Sequence, residues 1–120
     1  MKNLTIIAAL CIAAPATAQT VNNTPLADID AEYLEVKPLG KLFENTLNLV
    51  IDYGQRTKTF TSVEKESVLK DNAGKNMQFN SMVHALNYMH GLGYELVQVY
   101  PVPVNEKDNE YRYILRKKQE

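Results

Sequence analysis

The two histidines are the first residues to test for chemistry, because imidazoles on one helix face can bind a metal ion. His84 and His90 lie six residues apart, which places them about 240° apart around a helix. A helical metal pair is spaced by three or four residues, so the spacing predicts no metal site. We expect His90 to bond the last carbonyls of a helix and His84 to contact Tyr88 one turn further on.

Carboxylates and serines give no catalytic pattern. The acids that could serve as general acid and base are Asp52, Glu64, Glu66, Asp71 and Glu95, and their spacing fixes no two of them together. No serine lies in a Gly-x-Ser-x-Gly elbow, and Ser81 is better placed to cap a helix. Gly91 and Gly93 follow a helix, so they form no phosphate-binding turn. We predict no catalytic residue, no cofactor and no enzyme activity.

The first 18 residues have the pattern of an export signal. Lys2 is followed by an apolar stretch too short to span a bilayer, and then by the small-x-small pattern Ala16-Thr17-Ala18. This order predicts cleavage between Ala18 and Gln19 and a periplasmic or secreted product. A buried helix is the alternative structure for the same run.

Cysteine usage agrees with that interpretation. Cys11 is the only cysteine, so a chain cleaved after Ala18 has no thiol for a disulfide, a nucleophile or a metal. Lipidation of Cys11 is disfavoured because Leu10, the preceding residue, is large. No later stretch reaches the roughly 20 apolar residues of a membrane helix, and no transmembrane segment is expected.

Size and charge restrict the mature chain further. Removal of residues 1–18 leaves 102 residues, enough for one domain. It takes away one of 13 basic residues and none of the 14 acidic ones, so the formal charge is near −2. This balance predicts no binding to nucleic acid.

Periodicity places the elements. Residues 19–27 are polar and aperiodic, which predicts a flexible leader before a single domain over 28–120. A strand is expected over Ala31–Lys37, with Pro38 to Gly40 breaking its ladder, and a second over Thr46–Tyr53, with Asn48 and Asp52 on the solvent face. Residues 55–65 do not decide between a loop and an edge strand.

The second half is expected to form a hairpin, a helix and two paired strands. Asp71 to Gly74 suits the turn of a short hairpin over Ser67–Phe79. Asn80 or Ser81 can cap a helix whose apolar residues recur from Met82 to Leu92, and Gly91 and Gly93 stop it. Strands over 95–100 and 111–116 should then pair antiparallel, with prolines at an edge or bend.

These elements predict an α+β fold of two layers: a mainly antiparallel sheet of four to five strands with one helix packed on one face. The predicted core is Leu34, Val36, Leu47, Leu49, Ile51, Met82, Leu86, Met89, Tyr94, Leu96 and Val97.

The run FNSMVHALNYMHGLGYELVQVY from Phe79 resembles a small bacterial domain family of unknown function. Its signature is a leucine-rich helix, a Gly-x-x-Gly-Trp-Glu-Leu-Val exit into a strand, and a last strand with basic residues. Here the exit reads Gly91-Leu92-Gly93-Tyr94-Glu95-Leu96-Val97, with tighter glycines and Tyr94 in place of tryptophan. With LVIDYGQ and KDNAGK, the chain also looks like uncharacterised exported proteins of Bacteroides-type bacteria. The resemblance implies the fold and no activity.

Seven tyrosines and no tryptophan are the unusual composition. Most suit half-buried sheet positions, but Tyr88, Tyr100 and Tyr111 are hard to place in one small core. Together with Pro101 and Pro103 they would form an aromatic, weakly charged interaction surface.

The leading hypothesis is therefore a non-enzymatic exported module that binds another protein or itself through an exposed strand edge and the tyrosine-bearing face. The alternatives are a small-molecule or glycan binder, with a pocket between helix and sheet, and an inhibitor of a secreted hydrolase.

Overall fold

The computed structural model describes residues 19–40, 45–55 and 66–119. The expected export signal and residues 56–65 lie outside the described ranges. In chain order, the described elements are β1 (Thr20–Val21), β2 (Thr24–Pro25), a 3-10 turn (Leu26–Asp28), β3 (Tyr33–Gly40), β4 (Leu47–Asp52), α1 (Met82–Gly91), β5 (Tyr94–Pro103) and β6 (Asn109–Lys117).

The fold is the predicted α+β arrangement of two layers. Four strands form an antiparallel sheet in the order β4-β3-β6-β5, and β1 pairs with β2 in a separate two-stranded sheet. Helix α1 packs on one face of the larger sheet. The last two strands pair antiparallel as predicted, from Tyr94↔Lys117 to Pro103↔Asn109.

The core lies between α1 and one face of the sheet, which we call the inner face. Directly paired residues share a face, and the pairs Leu34↔Leu115 and Val36↔Ile51 carry the centre of this core. Ala85 and Met89 cover them from the helix, at 0% and 1% exposure. The opposite, outer face of the sheet carries Glu35 and Arg112 among its residues.

Pro38 ends one ladder of β3 and leaves the other intact. The ladder with β4 runs on to Gly40↔Leu47, whereas the ladder with β6 stops at Val36↔Tyr113. Leu49 and Ile51 direct their backbone bonds away from β3, so Pro38, opposite Leu49, directs its nitrogen towards β6. Proline has no N–H to donate there. The prediction that Pro38 to Gly40 ends the strand was therefore wrong for the β4 side.

Residues 19–27 are described as a hairpin packed into the core, which differs from the flexible leader expected. Asn22 and Asn23 have φ of 53° and 63°, the left-handed values of a two-residue hairpin turn, which asparagine tolerates well. Val21 is 0% exposed. The N–H of Thr20 donates to the Lys70 carbonyl and the N–H of Lys70 to the Thr20 carbonyl, both at 2.9 Å.

The segment 66–79 covers the edge of β4 that does not pair with β3. The predicted turn lies at its tip. Gly74 has φ of +79°, and the Asp71 carboxylate accepts the N–H of Ala73 at 2.9 Å. Backbone bonds join Phe79 to Leu47 in both directions, at 2.8 and 2.9 Å. This cover also buries Asn48, at 6% exposure, whose amide donates to the Met77 carbonyl at 2.7 Å. The expectation that Asn48 faces solvent was wrong.

Helix α1 begins and ends as its sequence predicts. The Ser81 hydroxyl accepts the N–H of His84 at 3.1 Å, which caps the first turn. Gly93, at φ of +96°, donates its N–H to the His90 carbonyl at 3.0 Å and turns the chain into β5.

Two predicted core residues lie outside the core. Leu96 is 46% and Val97 53% exposed. Strand β5 is the outermost strand of the sheet, so its inner face extends beyond the cover that α1 provides. Val97 is also the extra residue of a bulge between Leu96 and Gln98, which takes it out of the alternation that the prediction assumed. Leu47, Met82 and Leu86 are partly buried against the core.

Candidate interaction surface

Strand β5 presents the open edge of the sheet within the described residues. At the other edge, β4 is covered by bonds to Ser67, Leu69 and Phe79. On one side, β5 pairs with β6 at every residue except Val97, and no described strand pairs with the other side. An uncovered edge is a row of donors and acceptors that another strand can join.

The backbone groups that face outward on β5 follow from its register. The N–H of Lys117 donates to the Glu32 carbonyl, towards β3, so every second residue of β6 points its backbone groups away from β5. The β5 residues opposite them must point outward. These residues are Tyr94, Leu96, Val99, Pro101 and Pro103.

The two prolines fit this arrangement. Pro101 and Pro103 belong to the outward-facing set, so neither is needed as a donor to β6. The sequence prediction that they lie at a sheet edge is confirmed. They also leave the last part of the edge with acceptors alone, so the outward-facing N–H donors of β5 lie between Tyr94 and Val99.

Apolar side chains are exposed along that same part of β5. Leu96, Val97 and Val99 are 46%, 53% and 41% exposed. Strands normally keep such residues against the core, and a group of them beside an open edge is typical of an interaction surface.

The structure brings together only part of the predicted tyrosine surface. Pro101 and Tyr111 are directly paired and share the inner face with Pro103, and Tyr111 is 50% exposed. Tyr100 is one residue from Pro101 and therefore lies on the outer face. Tyr88 lies on α1, where its ring centroid is 5.4 Å from that of Phe79. The three tyrosines thus occupy three separate places.

Tyr100 instead belongs to a polar network on the outer face. Its hydroxyl donates to Glu35 Oε2 at 2.6 Å, and Arg112 donates to Glu35 Oε1 at 2.8 Å. Glu110 Oε1 lies 3.0 Å from Arg112 Nε and 3.1 Å from Lys37 Nζ. The network joins β3, β6 and β5, so it fixes the side of β5 that faces away from the helix.

The Glu35 carboxylate favours the protonated form of Tyr100. The hydrogen bond to Glu35 raises the pKa of Tyr100, with smaller contributions from desolvation and from the Glu35 charge, while the Arg112 charge lowers this pKa. Burial raises the pKa of Tyr94 as well.

Glu35→Gln is expected to lower the pKa of Tyr100, because it removes the carboxylate and leaves the opposing effect of Arg112 in place. NMR titration of ¹³C-labelled tyrosine rings would measure the change. Glu106→Gln, which removes a carboxylate from the exposed turn between β5 and β6, should leave the pKa of Tyr100 where it is. An unchanged value in Glu35→Gln would show that the 2.6 Å contact does not exist in solution.

The histidines take structural positions that differ from those predicted. His84 Nδ1 accepts the N–H of Asn80 at 3.0 Å, and its ring packs on Phe79 at 5.3 Å, so its described contacts are not with Tyr88. His90 Nε2 lies 2.6 Å from Lys118 Nζ, and the helix carbonyl nearby is bonded by Gly93 instead.

The candidate nucleophiles and acids are likewise held in structural contacts. Ser67 is 0% exposed, and Gln55 donates to its hydroxyl at 3.0 Å and to Asn22 at 2.9 Å. Asp52, exposed as predicted, accepts the N–H of Gly54 at 2.8 Å. Over the described ranges, no three histidine, aspartate or glutamate side chains converge to hold a metal ion.

A hollow of about 170 Å³ lies where the start of the described chain meets the end of α1. It is lined by Gln19, Leu26, Ala27, Leu92, Tyr94 and Lys117. Sites for small molecules usually have volumes of about 300–1,000 Å³, so this hollow is small for a ligand. None of the described helices has the length and apolarity to cross a membrane.

Sequence reasoning missed two parts of this surface. The polar network around Tyr100 joins distant parts of the chain: Glu35 is 65 residues from Tyr100 and 77 residues from Arg112. No local sequence pattern reports such pairing. The outward direction of the Val99 N–H could have been predicted. Pro101 has no N–H for a ladder, so its nitrogen must face the open side, and Val99, two residues earlier, faces the same way.

Comparisons with known proteins give no relative for this chain: no family model matches the sequence, and neither a curated protein nor a solved structure matches it.

Proposed function

We propose that this protein is an exported, non-enzymatic module that binds another protein or a second copy of itself through β5. The open edge of β5, with exposed apolar residues along it, is the observation that carries the proposal. Strand addition at such an edge supplies main-chain hydrogen bonds for affinity and side chains for specificity.

Export follows from the N-terminal pattern of a positive residue, a short apolar run and Ala16-Thr17-Ala18. The product would act in the periplasm or outside the cell. Its one cysteine would leave with the signal, so the surface of the mature chain would carry no thiol that oxidation could modify.

The absence of activity is supported by the structural contacts that the serine and histidine side chains make. Ser81 caps α1, Ser67 is buried in a polar contact, and His84 accepts a backbone N–H. A nucleophile needs a base within hydrogen-bonding reach, and none of these contacts provides one.

Site-specific photo-crosslinking in the producing cell would test the proposal. A photoactivatable residue at position 97 should give discrete products of higher mass, because Val97 lies beside the open edge. The same residue at position 83 is the matched control, since Val83 is 66% exposed on α1, away from β5. Products from position 97 alone would support the proposal; none from position 97, or the same products from both positions, would contradict it.

A further inference from the structure

We infer that the partner of β5 is a second copy of this chain, joined by antiparallel pairing of β5 with β5 in one register. This inference rests on the proposed function and names the partner. In this register Leu96 faces Val99 of the second copy, and the two sheets become continuous across a two-fold axis.

The outward-facing groups of β5 stay self-complementary across its bulge, but about a different point than in a regular strand. In a regular strand, alternate residues point outward. The extra residue Val97 changes this spacing, so that Leu96 and Val99, three residues apart, both point outward. The outward-facing set is therefore symmetric about the point between Val97 and Gln98, with Leu96 matched to Val99 and Tyr94 to Pro101.

A two-fold axis at that point matches each of these outward-facing residues with another. Leu96 and Val99 of the second copy can exchange both N–H and C=O groups, and the symmetric pair does the same. Tyr94 can donate its N–H to the Pro101 carbonyl of the second copy, a bond for which proline needs no N–H. If the register is shifted by one or two residues, at least one outward-facing residue comes opposite a residue whose backbone N–H and C=O already bond to β6, and that pair cannot form.

The side chains in this register are compatible as well. On the inner face, Leu96 comes opposite Val99 of the second copy, so two exposed apolar side chains cover each other. Glu95, the one charged residue of β5, comes opposite Tyr100 of the second copy, whose cross-strand neighbour is the basic Arg112. The two Glu95 side chains are about 13 Å apart, because four ladder positions, Arg116 to Arg112 on β6, separate Glu95 from Tyr100.

Mixed cysteine variants test the register. In a full chain carrying Cys11→Ser, Glu95→Cys is combined in one preparation with Tyr100→Cys under mild oxidation. Residues 95 and 100 would form a non-hydrogen-bonded pair with Cα atoms about 4.5 Å apart, within the range of about 4.4–6.8 Å for a disulfide. We expect a disulfide-linked dimer in the mixture and none from either variant alone.

Val99→Pro tests the edge itself. The Val99 N–H points away from β6, so proline there should remove a donor of the dimer and leave the β5–β6 ladder intact. Sedimentation should show a dimer for the unaltered chain at micromolar concentration and a folded monomer for Val99→Pro, whose thermal midpoint falls by no more than the loss of dimerisation accounts for. Val99→Thr keeps the N–H and should stay dimeric.

The outcomes separate this inference from the proposed function. No disulfide in the mixture, or a disulfide from Glu95→Cys alone, would overturn the inferred register. A monomeric chain that still crosslinks from position 97 to a different protein would overturn the inference and leave the proposed function standing. A monomer without crosslinks would overturn both.

Discussion

Val21→Asp is expected to lower the free energy of unfolding by about 2–4 kcal/mol, through lost apolar burial and the burial of a carboxylate. Val21 is 0% exposed and belongs to the same core as Leu34 and Leu49. The N–H and the carbonyl of Thr20 both bond to the backbone of Lys70. These bonds hold the β1–β2 hairpin in place, so the carboxylate introduced at position 21 cannot easily reach water. Urea unfolding of the chain starting at Gln19 would measure the loss.

Ala27→Asp is the matched control, because it places the same carboxylate on the same segment at an exposed position. Surface substitutions of this kind change stability by about 0.5 kcal/mol or less. A flexible leader would give equally small effects for both variants. Equal midpoints for Val21→Asp and Ala27→Asp would therefore show that residues 19–27 do not pack as the structure describes.

The hairpin over residues 19–27 shows why polarity alone misled the sequence interpretation. Only Val21 and Leu26 in this segment are deeply buried, too few to give a periodic signal. Asn22-Asn23 between two short runs was the informative feature, because asparagine takes positive φ more readily than most residues and favours two-residue hairpin turns. Attention to turn chemistry would have predicted the hairpin.

The elements that the sequence did predict are those specified by local patterns. Helix α1 has a cap, an apolar period and a glycine stop, and all three act within one or two turns of the chain. Strand β4 alternates except at Val50, and β5 and β6 are separated by a short polar turn. Such signals depend on neighbours in the sequence, so a single chain suffices to recognise them.

The parts that escaped prediction depend on which elements lie beside each other. Pro101 and Pro103 indicate an edge only for the end of β5. The apolar run around Leu96 is typical of a buried strand. The strand order β4-β3-β6-β5 decides its exposure. The register that pairs Pro101 with Tyr111 places Tyr100 on the opposite face of the sheet from Tyr111, which no local pattern in the sequence reports.

Phe79→Ala is the second substitution with a large expected effect, a loss of about 3–5 kcal/mol in the free energy of unfolding. Phe79 is 2% exposed and contacts the rings of His84 and Tyr88, and its backbone closes the edge of β4. The substitution leaves that backbone in place, so the loss measures the cavity and the lost ring contacts. Tyr111→Ala, which removes a half-exposed ring from β6, should cost far less in the same urea unfolding experiment. If both substitutions cost the same, the Phe79 ring is not packed in the core and against His84 and Tyr88 as the structure describes.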